Sequence, residues 1–402
     1  MRLSLGVVVA ALTLASGAAH AADTGDLIEA IQKGKPILEF RPRYENVDQA
    51  NLARDAAAFT LRTRLGWETA AWHGFKALIE FEDVRQLGSE HYNTTINGKT
   101  TFPIIADPDV TELNRAQLTW TPNKAFTATV GRQRVNLDDQ RFIGSVGWRQ
   151  DEQTLDAVRG DFTHGKFKAT YLYIGQVNRI YGEALDWDSD SHALNATYGF
   201  SDAFKLQGFL YALQFKQAPA SSTNTWGVKA TGALKLAPFK LAYAASYAKQ
   251  TDYRNNPGDF SLDYWMGEAA ATYDIYTLKV NYESLEGDGK RGFATPLATL
   301  HAFQGWADVF LTTPTRGIND VNVSFSIKPK LKLPHLSNVE LFVRRHDFSF
   351  QQGSGDLGSE WDAQVTASFT KQLTGLIKFA DYDGVAGIPS RRKVWLGLEF
   401  KL

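Results

Sequence analysis

The sequence contains no cysteine and only two methionines in 402 residues. The first absence excludes disulfide frameworks, thiolate metal sites and cysteine nucleophiles. It also suits a chain that crosses an oxidising periplasm. Charge of one sign is missing too: 43 basic residues face 44 acidic ones, a formal charge of −1. Global electrostatics therefore points to no nucleic-acid partner, and any charge selectivity has to be local. Beyond residue 22 there is no run of 18 or more apolar residues, which excludes a helical membrane protein. Gly-x-x-x-x-Gly-Lys, His-Glu-x-x-His and Gly-x-Ser-x-Gly are all absent, so nucleotide, zinc-protease and hydrolase chemistry have no anchor.

What is present starts with residues 1–22, which read as a secretory signal. Arg2 is the positive end, Leu5 to Leu14 is the apolar run, and Ala19-His20-Ala21 is a small-x-small cleavage site. The mature chain then starts near Ala22 or Asp23, with 42 basic and 44 acidic residues and a charge of −2 once Arg2 is removed. No cysteine follows the signal, which argues against a lipid anchor. Residues 23–35 read as a periplasmic tail, in which Asp26–Lys33 suits one or two turns of amphipathic helix.

From residue 36 to 402 the chain consists of segments of roughly ten residues with alternating apolar and polar side chains, the signature of a single transmembrane antiparallel up-and-down β-barrel. Phe59, Leu61, Leu65 and Trp67 share one face, while Thr60, Arg62, Arg64 and Glu68 share the other. At the C-terminus Val394, Leu396, Leu398, Phe400 and Leu402 alternate with Lys393, Trp395, Gly397, Glu399 and Lys401. Short links, such as Ala70–His73 and Ser201–Ala203, alternate with long ones at 87–110, 135–152, 177–189, 251–260 and 286–316. That alternation predicts tight periplasmic turns and long extracellular loops. Counting segments gives about 18 strands, within 16 to 20, when 301–313 is read as loop. Trp67, Trp72, Trp120, Phe126, Phe162, Phe167, Phe200, Phe204, Tyr273 and Tyr276 flank the short turns and predict an interfacial girdle. A soluble β-sandwich or propeller is the competing reading; the signal and the terminal Phe400-Lys401-Leu402 count against it.

If apolar faces meet lipid, Arg41, Arg43, Arg62, Arg64, Lys76, Arg115, Arg159, Lys168, Lys240, Lys279 and Arg344 point into the lumen. Glu39, Glu80, Glu82, Asp161, Glu283 and Glu340 join them. Opposed charges across a lumen create a transverse field that selects ions. The first two strands carry Arg41, Arg43, Arg62 and Arg64 against Glu39, a positive bias. Strict alternation from Phe126, Ala128 and Val130 would put Arg132 and Arg134 on lipid. Either a bulge at Gly131 turns both inward or they sit above the bilayer. The loop 286–316, with Trp306 and Asp308, is the candidate occluding loop. Asp138 with Asp139, or Asp186 with Asp188, are candidates for Ca²⁺ in extracellular loops, against solvated loop charge as the plainer reading; no resident cofactor or metal is expected.

The run Asn114-Arg115-Ala116, Gly131-Arg132-Gln133, Asp139-Gln140-Arg141-Phe142-Ile143-Gly144, Trp148-Arg149-Gln150 and Asp156-Ala157-Val158-Arg159, with Leu300-His301-Ala302-Phe303-Gln304-Gly305-Trp306-Ala307-Asp308 and Gly317-Ile318-Asn319-Asp320, resembles the alginate export family of outer-membrane porins. The resemblance implies an 18-stranded barrel with an Arg-rich lumen that passes an anionic polysaccharide outward. It makes Arg62 or Arg64, Arg132, Arg134, Arg141, Arg159 and Arg344 candidates for gripping carboxylates, with Asp156 as an opposing charge. Arginine suits this role because it stays protonated and bonds a carboxylate twice. The implied partners are an anionic carbohydrate or other small anionic solute, and outer-membrane lipid including lipopolysaccharide. A monomer is expected because a closed barrel buries its own edges.

A purely structural or adhesive barrel, its lumen filled by paired charges and without conductance, is one competing reading, and two others share this sequence. One is a substrate-selective uptake porin for small solutes, which has the same fold. The other is a barrel enzyme, for which His346 is the histidine to test; no enzymatic activity is expected.

Overall fold

The computed structural model describes residues 25–331, 333–385 and 387–402. The secretory signal read at residues 1–22 lies outside them. A short helix, α1 (Leu27–Gln32), is capped by the Asp26 carboxylate, which accepts from the Ile28 N–H at 3.1 Å. The Trp67 indole donates to Ile31 O at 2.9 Å and ties the helix to the barrel mouth.

Eighteen strands follow: β1 (Lys35–Gln49), β2 (Ala56–Glu68), β3 (Phe75–Gln86), β4 (Val110–Asn123), β5 (Phe126–Gln133), β6 (Thr154–His164), β7 (Phe167–Asn178), β8 (Trp187–Ser201) and β9 (Phe204–Leu213) make the first half. The second half is β10 (Thr223–Leu236), β11 (Phe239–Asp252), β12 (Ser261–Tyr273), β13 (Tyr276–Leu285), β14 (Ile318–Ile327), β15 (Ser337–Ser349), β16 (Asp356–Ser368), β17 (Leu373–Asp383) and β18 (Arg391–Lys401). Each pairs antiparallel with its neighbours in sequence, and β1 pairs with β18, with Arg43 opposite Gly397 and Tyr44 opposite Leu396. The sheet is therefore closed and leaves no edge strand. Among the described residues no helix is long and apolar enough to cross a membrane; the wall is crossed by strands alone.

The expected strands are all present, and 301–313 is loop apart from one 3₁₀ turn. The strand β14 ends at Ile327. Pro329 has no N–H to donate to a ladder, and Lys328 makes the last amide bond, to Ile275 O.

Burial is inverted relative to a soluble protein. Phe59, Leu65, Ile79, Phe81, Leu278, Val280, Leu396 and Leu398 are exposed on the outside, whereas Arg62, Glu80, Glu82, Asp320 and Asp362 are buried inside. An outward apolar band around a polar interior is what a hydrocarbon solvent demands. At the short-turn end the aromatics come together in pairs: Phe75 with Trp120, Phe162 with Phe167, Phe200 with Phe204, and Phe239 with Tyr273. They form the expected girdle.

Candidate functional site: a charged lumen narrowed by two infolded loops

The residues facing inward on β1 to β4 form a continuous ion-pair lattice. Arg62 donates to Glu39 at 3.2 Å and Glu399 at 3.1 Å, and Arg64 bonds Glu82, Glu39 and Glu152. Arg115 grips Glu80 through Nε and Nη2. The pleat explains why: on adjacent antiparallel strands, opposite residues of one face lie close enough for charges to pair. At Asn114 a register shift between β3 and β4 turns two consecutive side chains, Asn114 and Arg115, toward Glu80.

Two loops fold back into this lumen. Residues 134–153 are fastened to β1 by a buried knot around Asp107, itself from the loop 87–109. The Asp107 carboxylate accepts from Arg43 Nη2 at 2.5 Å, from Arg149 Nε at 3.0 Å and Nη2 at 2.7 Å, and from the Gln150 N–H at 2.9 Å. Burial acts to raise the Asp107 pKa, but Arg149 and Arg43 outweigh it and hold the carboxyl ionised well below the usual range. Burial is likewise outweighed at Glu152 by Arg64 and Arg134, which bring it down to about 2. Arg41 completes the clamp, donating to Gln150 Oε1 and Gly147 O at 2.9 Å each and to Arg149 O. All three acceptors are neutral, and among the described residues no carboxylate lies within ion-pair distance of Arg41.

Residues 286–317 form the second insertion, the loop that carries Trp306 and Asp308. Lys378 of β17 reaches into it, with Nζ 3.9 Å from the Trp148 ring centre and 3.6 Å from that of Trp306. The same Nζ lies 2.6 Å from His301 Nε2, and His301 Nδ1 lies 2.7 Å from Asp308 Oδ1. Burial, opposed by Asp308 and reinforced by Lys378, pulls His301 down to about 3. The neutral ring then donates from Nδ1 to Asp308 and accepts the lysine proton at Nε2. Asp308 also accepts from Lys393 of β18 at 2.7 Å. Gly305, at φ +82°, lets the chain turn against Glu360, whose carboxylate takes the Ala307 N–H at 2.7 Å. The two loops are stitched together by Gly144 N to Leu297 O at 2.8 Å and Thr299 N to Gln140 O at 3.1 Å.

Two open spaces flank the segment 136–140. One, of about 310 Å³, is lined by Arg41, Arg62, Arg64, Arg134 and Lys401 against Glu152 and Glu399. Five cations thus face two carboxylates. The other, of about 410 Å³ against β10 to β12, has Asp139, Asp202 and Glu268 against Lys205 and Lys229. The two spaces thus differ in sign: cations outnumber carboxylates five to two beside β1 and β2, and carboxylates outnumber cations three to two beside β10 to β12.

Of the candidate residues, Arg62, Arg64 and Arg134 meet at the basic space, and Arg115 joins their lattice. Arg344 faces inward beside Trp306 and pairs with Asp362 at 2.9 Å, while Arg159 pairs with Asp161 at 2.7 Å. Three expectations need correction. Arg132 and Asp156 do not face the lumen: β5 and β6 pair without a shift at Gly131, so these residues stay in the outward row of Val130 and Val158. They bond each other at the long-loop end of the wall, at 2.8 Å. Arg134 lies beyond the end of β5 and turns inward from the loop. Arg141 is buried inside the loop packing, bonded to Glu283, Thr295 and Gln304 and stacked on Phe303, and is closed to solute.

The paired acids are occupied by protein donors. Asp138 accepts from Asn195 and Gln207, Asp139 from Lys229, Asp186 from Gln176, and Asp188 from Lys216. His346 is fully buried between Asp320 and Asp362 and has no access to the lumen space. Sequence reasoning missed the clamping roles of Arg41, Arg43, Lys378 and Lys393. Alternation places each of them inward, but only the fold shows which loop each one meets.

The family model "Alginate export" matches residues 38–269, more than half of the chain. Among solved structures, OccAB4 and OccAB2 of Acinetobacter baumannii are similar at 15% and 14% identity, with TM-scores of 0.72 and 0.73. The alignments cover 92% and 93% of this chain and 98% and 99% of theirs. Pseudomonas aeruginosa OpdK, solved with vanillate, is similar at 13% identity and a TM-score of 0.69, over 92% of this chain and 99% of its own. No curated protein matches. The closed 18-stranded barrel, its lipid-facing apolar band and the family match lead to one conclusion: the chain belongs to the alginate export family and is a porin of the bacterial outer membrane.

Proposed function

We propose that this porin passes small carboxylate-bearing solutes, uronate mono- or oligosaccharides or aromatic acids, along the basic wall of β1 and β2. The observation that carries the reading is the basic space itself, where Arg41, Arg62, Arg64, Arg134 and Lys401 outnumber Glu152 and Glu399. Its volume of about 310 Å³ is on the scale of a small-molecule site. Two cross-braced loops stand in the lumen, which favours selective passage of small solutes over export of a polymer. The family match supports a uronate as the solute; vanillate, the ligand named for OpdK, is likewise a carboxylate.

Arg41 is the residue to test, because its acceptors are neutral and its loss strands no acid. The experiment is the reversal potential of the purified barrel in a planar bilayer under a salt gradient, followed by addition of uronate oligomers and vanillate. The expected result is anion-selective current that both compounds reduce, with selectivity falling in Arg41→Gln and Arg64→Gln. Cation-selective current indifferent to both would refute the reading. Block by long oligouronates alone would favour polymer export.

A further inference from the structure

Glu82 of β3, Glu112 of β4 and Asp151 of the infolded loop each bring one carboxylate oxygen within 4.8 Å of the others. Neither Asp151 nor Glu112 pairs with a cation among the described residues, in contrast to the ion pairs that surround them. Asp151 is wholly buried beside the Glu82 carboxylate, and no N–H or hydroxyl donor reaches either of its oxygens; Glu112 Oε1 has no donor either. Only Glu82 is engaged, by Arg64 on one oxygen and by the Glu152 N–H at 3.2 Å on the other. A buried carboxylate with no donor is costly, and two more carboxylates at this distance make it costlier. The group lacks a positive centre.

We propose that a Ca²⁺ ion occupies this position and ties the loop 134–153 to the barrel wall. The donors are all hard oxygens, as Ca²⁺ prefers, and Ca–O distances of about 2.3–2.6 Å place ligands on opposite sides of the ion about 5 Å apart. The observed span therefore needs little adjustment. Mg²⁺ demands stricter octahedral geometry and gives up its waters reluctantly. Zn²⁺ favours the nitrogen and sulfur ligands that are missing here. The ion would supply what Asp151 lacks and add a third fastening of the loop beside the Asp107 knot and the Arg41 clamp. This inference is independent of which solute the porin passes.

The test is calcium titration of the folded, EDTA-treated and desalted barrel by calorimetry, together with its thermal midpoint in CaCl₂ and in EDTA. The expected result is one Ca²⁺ per chain and a higher midpoint in calcium. Asp151→Asn and Glu112→Gln should each weaken binding at least tenfold while the barrel stays folded, and both should melt no lower than wild type in EDTA because each removes a repelling charge. Asp188→Asn, at the exposed start of β8, should leave binding unchanged. Absence of saturable binding in the wild type would overturn the proposal. So would binding that persists in both variants, which would place the ion on the outer surface. Should one variant not fold, the other still decides.

Discussion

Replacing Asp107 by Asn should release the loop 134–153 while leaving the barrel intact. The carboxylate takes four hydrogen bonds from Arg43, Arg149 and the Gln150 amide, and all three side chains concerned are buried. Breaking a buried ion pair by removing one partner costs about 3–5 kcal/mol, because the remaining charge stays desolvated. Here two guanidinium groups would share Glu45 alone, which lies 2.7 Å from Arg149 and 3.9 Å from Arg43. The cost falls on loop closure, since the ladders of β1 with β2 and β18 do not depend on Asp107. Hydrogen exchange of the Gly144, Arg149 and Gln153 amides, bonded to Leu297 O, Val146 O and Ser145 O, reads that closure. At 1.4 kcal/mol per factor of ten, their exchange should quicken by about two to three and a half orders of magnitude. The amides of β12 to β14 should not change, and single-channel current should become noisier. Adding Arg149→Met should recover part of the loss by removing one uncompensated cation. Loop exchange that stays at the wild-type rate, or a uniform rise in every strand, would refute the idea that this knot holds the loop.

Other consequences can be measured separately. His301 is held neutral with its constant near 3, so below about pH 6.5 the released loop binds a proton that the docked loop refuses. Docking should therefore weaken as pH falls, by about 2 kcal/mol at pH 5 from about 1.5 units at 1.36 kcal/mol each. Current fluctuations between pH 7 and 5 report it, and His301→Gln should flatten the dependence. Gly131→Ala should cost at least about 1–3 kcal/mol, because Gly131 sits at φ +112° and a Cβ would stand 2.2 Å from Ala116 O; heat-modified gel mobility follows the loss. Arg132→Ala, on the outer face, should leave ion selectivity unchanged, whereas Arg64→Gln lowers it; equal effects would mean that Arg132 faces the lumen after all. Glu399→Gln frees Arg62 from one of its acids and should lengthen the blocking time of a carboxylate solute without changing open-channel noise.

The wall was legible in the sequence because the solvent on its two sides dictates a strict period of two. Phe59, Leu61 and Leu65 against Thr60, Arg62 and Arg64 fix the facing of β2 without any knowledge of its neighbours. The rule also gave Arg132 its outward facing, and the bulge at Gly131 that would have turned it inward did not form. Asp156, made an opposing charge by the family resemblance, lies directly across from it, so the two satisfy one another on the outer face. The infolded loops were harder to read. Trp306 and Asp308 mark one of them, but nothing local tells Lys378 from any other inward lysine. Its contacts to Trp148 and Trp306 join residues 230 and 72 positions away in the chain. Arg141 failed for the same reason: its partners Glu283, Thr295 and Gln304 come from the far side of the barrel.

The lumen cations thus divide into two groups by what lies opposite them. Arg43, Arg141, Arg149 and Lys393 are buried against carboxylates of the wall or the loops and set where the loops sit. Such pairs add little net stability over an apolar contact, yet they define one geometry, because each alternative leaves a charge unpaired. Arg41 and Arg134 face the basic space, with Arg62 and Arg64 behind them. These keep Glu39, Glu152 and Glu399 close at hand, so an entering carboxylate has to exchange with an internal one rather than fill a bare site. That exchange lowers the depth of each binding step while leaving the steps in series along the wall. Conduction requires this balance, since a solute must be attracted enough to enter and held weakly enough to leave; a wall of unpaired arginines would bind its solute and stop the current.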